Sequence, residues 1–212
     1  MANNSTITRD GSTQPSVATS EPGIPAIRIP TKDAALIAMG PGVILSLVPL
    51  TIYQGGIALA ARSAPVRVMF PMVTHPEEVV WARGVLDEVL FEMGPVELPV
   101  GIMVEVPAAA LRASDFSGLI DFASIGTNDL AQYALASDRT NAAVGALAPM
   151  DDPAVWDLIE LTCRGLPRIP VAVCGDLASD PDMTAALIER GVTELSVRPP
   201  MIGLIKQAVR QY

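Results

Sequence analysis

Pro99-Val100-Gly101-Ile102-Met103-Val104-Glu105-Val106-Pro107-Ala108-Ala109-Ala110 decides how the rest of the chain is read. An apolar run of strand length ends at a single carboxylate, Glu105, and Pro107 then opens a run of helix formers. Strands buried on both faces read as uninterrupted apolar runs, and proline is tolerated in the first turn of a helix. This places Glu105 at the C-terminal mouth of a parallel strand, where α/β folds carry their chemistry. A second stretch, Phe122-Ala123-Ser124-Ile125-Gly126-Thr127-Asn128-Asp129-Leu130, repeats the pattern and puts Asp129 at its turn, 24 positions after Glu105. That interval suits one strand-helix-strand unit, so the two strands can be neighbours about 5 Å apart. Two carboxylates at adjacent strand ends make a cradle suited to a hard divalent cation.

Outward from these stretches the rhythm stays regular. Val66 to Phe70 predicts a strand, and Pro76 to Phe91 an amphipathic helix with Glu77-Glu78 at its positive end. His75, the single histidine, precedes the helix-starting proline and is read as a structural residue there. The helix after Glu105 is predicted to run from Pro107 to about Gly118, and the third strand covers Phe122 to Ile125. A longer polar excursion passes through Asp138-Arg139-Thr140-Asn141 before a helix starts near Asp152-Pro153. Val171 to Cys174 is a fourth strand, stopped by Gly175-Asp176. Asp180-Pro181 opens another helix, closed by Arg190-Gly191 in helix-ending order. Glu194 to Val197 is a fifth strand, and Met201 to Arg210 a last helix. Five strand-helix units in succession predict an α/β protein with a parallel sheet, open or closed.

Composition narrows the function classes. The 212 residues are 50% hydrophobic and 17% charged, with a formal net charge of −9. That balance offers no field to attract nucleic acid or an anionic membrane surface. Two cysteines, Cys163 and Cys174, are too few for a disulfide framework, which points to a reducing, cytoplasmic setting. Residues 1–22 are polar, have little to bury and lack the apolar core of a secretion signal, so they read as a disordered leader. Residues 23–65 form a divergent apolar segment, and 66–212 the folded domain. Ala34 to Ala61 holds no charged residue, but Gly40-Pro41-Gly42, Pro49 and Gly55-Gly56 would interrupt a membrane-spanning helix repeatedly. Buried or poorly folded soluble chain is the preferred reading of that segment, with a membrane tether the lesser alternative.

Taken singly, the candidate residues leave alternatives open. Asn128-Asp129 could be a helix cap, and Arg139 beside Asp138 a solvated pair. Cys174 at a strand end could be a small core residue, and Cys163 inside a helix is read as packing. Met69, Met72, Met93, Met103 and Met201 are read as core filler. Glu105 is harder to dismiss, because a carboxylate after so apolar a strand needs a partner.

The ordered blocks add a resemblance to these readings. Arg67-Val68-Met69-Phe70-Pro71-Met72, Gly101 to Ala109, Ser124 to Leu130 with Gln132-Tyr133, Asp138-Arg139-x-Asn141 and Cys174-Gly175 resemble the C-terminal barrel of phosphoenolpyruvate-protein phosphotransferase. Pyruvate phosphate dikinase and phosphoenolpyruvate synthase share that barrel. The resemblance covers about residues 65–210 and implies the last five strand-helix units of a (β/α)₈ TIM barrel. It implies that Glu105 and Asp129 hold Mg²⁺, that Asn128 hydrogen-bonds phosphoenolpyruvate, and that Arg139 clamps its phosphate. It implies that Cys174 is the acid that protonates the enolate carbon when pyruvate forms. The phosphoryl acceptor would be a histidine of a phosphocarrier or phosphohistidine domain on another chain, and His75 does not lie in that motif. A homo-oligomer is also expected.

Departures from the family pattern leave two other readings standing. Gly23-Ile24-Pro25-Ala26-Ile27-Arg28 has Pro25 where the family places a substrate-binding arginine, and Arg198-Pro199-Pro200 stands where small residues are usual. With the early barrel strands and phosphohistidine domain not found, the 212 residues are expected to be inactive alone. The alternatives are a non-catalytic remnant or interaction module, and a metal-dependent lyase of the same barrel superfamily.

Overall fold

Val68, Phe70, Val100, Ile102, Val104, Ala123, Ile125, Val171 and Val173 are all buried, and they alternate along their strands with smaller or more polar residues. In a strand, successive side chains leave on opposite faces, so this alternation assigns the two faces of the sheet. One face is aliphatic and lies under the helices. The other carries Met69, Gly101, Met103, Phe122, Ser124, Ala172, Cys174 and Glu194. Ile102, Val104 and Ile125 are fully excluded from solvent, and each such side chain stabilises the sheet-helix layer by about 2 kcal/mol.

The computed structural model describes residues 60–212 apart from 63, 64, 95, 142 and 148. The expected leader (1–22) and nearly all of the apolar segment (23–65) therefore lie outside the described residues. The strands are β1 (Val68–Phe70), β2 (Val100–Val104), β3 (Phe122–Gly126), β4 (Val171–Cys174) and β5 (Glu194–Leu195). They form one parallel sheet in chain order, with Val68 opposite Val100, Gly101 opposite Phe122, Ala123 opposite Val171 and Ala172 opposite Glu194. Each connection is a helical crossover, as parallel neighbours require. The five consecutive units make the partial barrel that the motif order predicts.

The helices begin where their sequences direct. In α1 (Pro76–Met93), His75 holds the N-cap position and Pro76 the first turn. Glu78 reaches back to accept the backbone N–H groups of Thr74 at 2.6 Å and His75 at 3.0 Å. Val79, Ala82 and Leu86 form its buried stripe. Asp152 caps α4 (Pro153–Gly165) by accepting the Ala154 N–H at 2.8 Å. Cys163 lies buried in that helix, in the packing role read for it. The remaining helices are α2 (Pro107–Leu111), α3 (Thr127–Ala134), α5 (Thr184–Glu189) and α6 (Ile202–Gln211). Among the described residues no helix is long and apolar enough to cross a membrane.

Four expectations need correction. The helix predicted from Pro107 to about Gly118 ends at Leu111, and a 3₁₀ turn, Ala113–Phe116, follows. This turn packs directly on the α4 backbone at Gly165, where a Cβ would sit 2.8 Å from the Ala113 Cβ and 2.9 Å from the Ser114 nitrogen. The helix placed at Asp180-Pro181 starts as 3₁₀ turns and becomes α-helical only at Thr184. β5 has two residues instead of four. Beyond it the Ser196 N–H still donates to Val173 O at 2.9 Å, after which Pro199-Pro200, lacking N–H donors, start a 3₁₀ turn. Met72 is no core filler, being 43% exposed, and Met69 and Met103 are half-buried on the concave face.

Candidate active site

The C-terminal ends of β2, β3 and β4 are where the polar residues gather. Glu105 directly follows β2, Asp129 is the third residue of α3 after β3, and Cys174 ends β4. Glu105 is only 4% exposed. Its Oε1 accepts the backbone N–H of Met72 at 2.7 Å, from the loop that follows β1. Met72 holds a left-handed φ of 56°, a conformation that costs a non-glycine residue about 1 kcal/mol.

Burial pushes the Glu105 carboxyl above its usual range; the Met72 hydrogen bond opposes this and the nearby negative charge of Asp129 adds to it. Asp129 in turn has its Oδ1 3.5 Å from Arg139 Nε. Arg139 thus turns to Asp129 and not to its neighbour Asp138, whose Oδ1 accepts the N–H and hydroxyl of Thr140 at 2.8 and 2.7 Å.

Cys174 completes the cluster. Its thiol donates to Ile125 O at 3.4 Å, and burial keeps the thiol protonated beyond its ordinary range, opposed by a hydrogen bond with the Ser124 side chain and reinforced by the charges of Glu105 and Asp129. Thr127 Oγ1 donates to Cys174 O at 2.9 Å, joining the start of α3 to the end of β4. Gly175 follows with a φ of 94°, and a Cβ there would lie 2.6 Å from both Asn128 Oδ1 and Thr127 Oγ1. Only glycine fits that position.

The structure therefore brings Glu105, Asp129, Cys174 and Arg139 to one rim. Asn128 sits beside them with its carboxamide engaged by Asp176: its Oδ1 accepts the Asp176 N–H at 3.1 Å, and its Nδ2 donates to Asp176 Oδ2 at 3.4 Å. Met72 and Asp176 escape the sequence reading. Asp176 directly follows the Cys174-Gly175 block and so had a signal by position, whereas a backbone amide such as that of Met72 leaves none.

The donor set fits a small hard cation. It consists of two carboxylates near enough to repel each other, one of them buried, and a cation between them would relieve that repulsion. Gly126 keeps the space open, since a Cβ there would lie 3.0 Å from Glu105 Oε2 and 3.2 Å from Met103 Sδ. Among the described residues no group of three or more His, Cys, Asp or Glu is placed to hold a metal. Two protein carboxylates with water and substrate oxygens making up the rest is the coordination Mg²⁺ favours.

Comparison with known proteins speaks to the family and the fold. Residues 53–212 match the family described as PEP-utilising enzyme, PEP-binding domain. The chain is 43% identical over 153 residues to the multiphosphoryl transfer protein of Rhodobacter capsulatus, covering 71% of this chain and 18% of that protein. It is 40% identical over 158 residues to the phosphoenolpyruvate-protein phosphotransferase of Cupriavidus necator, covering 71% and 27%. The phosphoenolpyruvate synthase of Pyrococcus furiosus is 40% identical over 147 residues, covering 68% and 18%. The chain thus spans less than a third of the length of these curated relatives. Among solved structures, a citrate lyase from Burkholderia xenovorans superposes with a TM-score of 0.56 at 20% identity, over 74% of this chain and 53% of that one, a likeness of fold. With the family motifs in order along the chain and their side chains gathered at one rim, this chain belongs to the PEP-binding domain family of the PEP-utilising enzymes.

Proposed function

We propose that this chain binds phosphoenolpyruvate together with Mg²⁺ and supplies the substrate site for phosphoryl transfer to a protein histidine, with release of pyruvate, in sugar uptake. One observation carries the reading: Glu105, Asp129 and Cys174, from three successive strand ends, lie within electrostatic reach of one another. Glu105 and Asp129 would hold the Mg²⁺. The ion's chemistry is electrostatic, offsetting negative charge on the enol oxygen and the departing phosphoryl group.

This chain's own residues account for the rest. Arg139 presents a guanidinium fork to the phosphate, leaving its contact with Asp129 to do so. Asn128, held in orientation by Asp176, hydrogen-bonds the substrate. As the bond between the enol oxygen and phosphorus breaks, its electron pair stays on oxygen and the phosphoryl group passes to the histidine nitrogen. The methylene carbon of the enolate then takes the proton of the Cys174 thiol, leaving a thiolate. A thiol kept protonated by its surroundings is suited to that donation.

The phosphoryl-accepting histidine would belong to a phosphocarrier or phosphohistidine domain, with these residues supplying the phosphoenolpyruvate and metal site of a cytoplasmic homo-oligomer. Calorimetric titration of the chain with phosphoenolpyruvate and Mg²⁺ tests this. Saturable heat that needs both components, and that Glu105→Gln and Asp129→Asn each abolish, is the expected result. Absence of heat in the unaltered chain rejects the reading in favour of an interaction module.

A further inference from the structure

The helix that carries Asp129 also holds the loop that carries Arg139. After α3 ends, the chain reverses at Ala136, whose φ of 50° is left-handed. The returning strand of that loop is then fastened twice to one residue, Gln132. Its backbone carbonyl accepts the Ser137 N–H at 3.1 Å, and its side-chain Oε1 accepts the Arg139 N–H at 3.1 Å. The Ser137 hydroxyl donates to Val144 O, closing the far side of the same loop. Gln132 lies three residues beyond Asp129, so both project from one side of α3, a turn apart. The result is a clamp: Gln132 fixes the Arg139 backbone while the Arg139 side chain reaches back 3.5 Å from Asp129.

We infer that Gln132 is a positioning residue that sets the reach of Arg139 toward a ligand's phosphate, an inference that rests on Arg139 acting as the phosphate clamp. Arg139 is exposed and sits in a loop. An unfastened loop would have to be ordered at binding, and the conformational entropy lost would weaken that binding. Gln132 meets that cost in the free chain, so the Arg139 backbone is already held where its side chain need only swing from Asp129 to reach the ligand. Glu105 and Asp129 do not depend on this bond, so the effect separates by ligand. A ligand with a phosphate needs Gln132, and a dicarboxylate without one does not.

The test compares phosphoenolpyruvate with oxalate, each with Mg²⁺, by calorimetry on the full chain. Gln132→Leu keeps nearly the same volume and removes the acceptor. It is expected to weaken phosphoenolpyruvate binding about tenfold, from the loss of one hydrogen bond and its ordering. Oxalate affinity should stay where it is in the unaltered chain, and the thermal midpoint should fall by no more than a few degrees, as the loss of one exposed hydrogen bond does. Phosphoenolpyruvate affinity equal to that of the unaltered chain, or oxalate affinity falling alongside it, overturns the inference. Gln132→Met serves if the leucine variant does not fold, and a chain that folds with neither makes Gln132 a stability residue, which overturns the inference too. Failure of the underlying reading looks different: phosphoenolpyruvate binding would then survive Arg139→Met, or be missing from the unaltered chain.

Discussion

Arg67 Nη2 lies 3.4 Å from Glu194 Oε1 although 127 positions separate the two residues. Arg67 directly precedes β1 and Glu194 opens β5, so the contact joins the first and last strands of the described sheet at its N-terminal edge. The Arg67 guanidinium also stands 5.0 Å from the centroid of the Phe122 ring, at the start of β3. These three residues come from alternate strands and face the same side. That is how successive layers fill the interior of a barrel of this kind, and it means the sheet is already rolled.

Gly101, in β2 beside Phe122, should be the sensitive position next to this layer. A Cβ there would come within 2.6 Å of both the Phe122 ring and the Phe122 carbonyl oxygen. Gly101→Ala is expected to destabilise the chain by about 1–3 kcal/mol in urea unfolding, as overpacking does. The Arg67–Glu194 pair is half-exposed on both sides, so its coupling in a double-mutant cycle should stay below about 1 kcal/mol. A coupling larger than the Gly101→Ala effect would reverse this ranking.

Glu105 gives the chain a pH dependence with a definite sign. Its folded-state pKa lies above the ordinary 4.5, so as pH rises the unfolded chain releases this proton first. Stability without metal is therefore complete below pH 4.5 and declines as pH climbs through the raised value. Glu105→Gln should remove that part of the slope in unfolding curves measured from pH 4 to about 7. Mg²⁺ affinity should run the other way, strengthening as Glu105 ionises, because the ion takes the deprotonated carboxylate.

Cys163 acts at the alkaline end. It is 8% exposed, and burial, with Glu160 nearby, pushes its thiol from 9.0 to about 11. Between these values the folded chain keeps a proton that the unfolded chain has lost, so stability falls by on the order of 2 kcal/mol across that interval. Cys163→Ala should flatten the fall, leaving the smaller slope due to Cys174, whose thiol is raised as well. An unchanged slope in the variant would show that the alkaline loss lies elsewhere.

Cys174→Ser separates acid chemistry from binding. A serine hydroxyl retains the size and the hydrogen bond to Ile125 O but is a far weaker proton donor. With pyruvate and Mg²⁺, the unaltered chain should exchange methyl protons with deuterated solvent, as followed by NMR, while the serine variant binds metal normally and exchanges at least a hundredfold more slowly. Equal exchange rates would remove Cys174 from the acid role.

By itself the sequence determined the number, order and direction of the strands, because each rests on local features: an apolar run, a proline at a helix start, a polar turn. It also put Glu105, Asp129 and Cys174 at strand ends, and in a parallel sheet all such ends share one rim. Only the tertiary structure decided which groups meet there. Arg139 faces Asp129 in place of its sequence neighbour, the Met72 amide binds Glu105 across 33 positions, and Asp176 takes the carboxamide of Asn128. Gly165 likewise receives the turn that follows α2, 52 positions beyond Ala113. Periodicity and capping act over a few residues, whereas these contacts depend on how far the sheet rolls and which loops then lean over its rim, and that is fixed by packing of the whole chain.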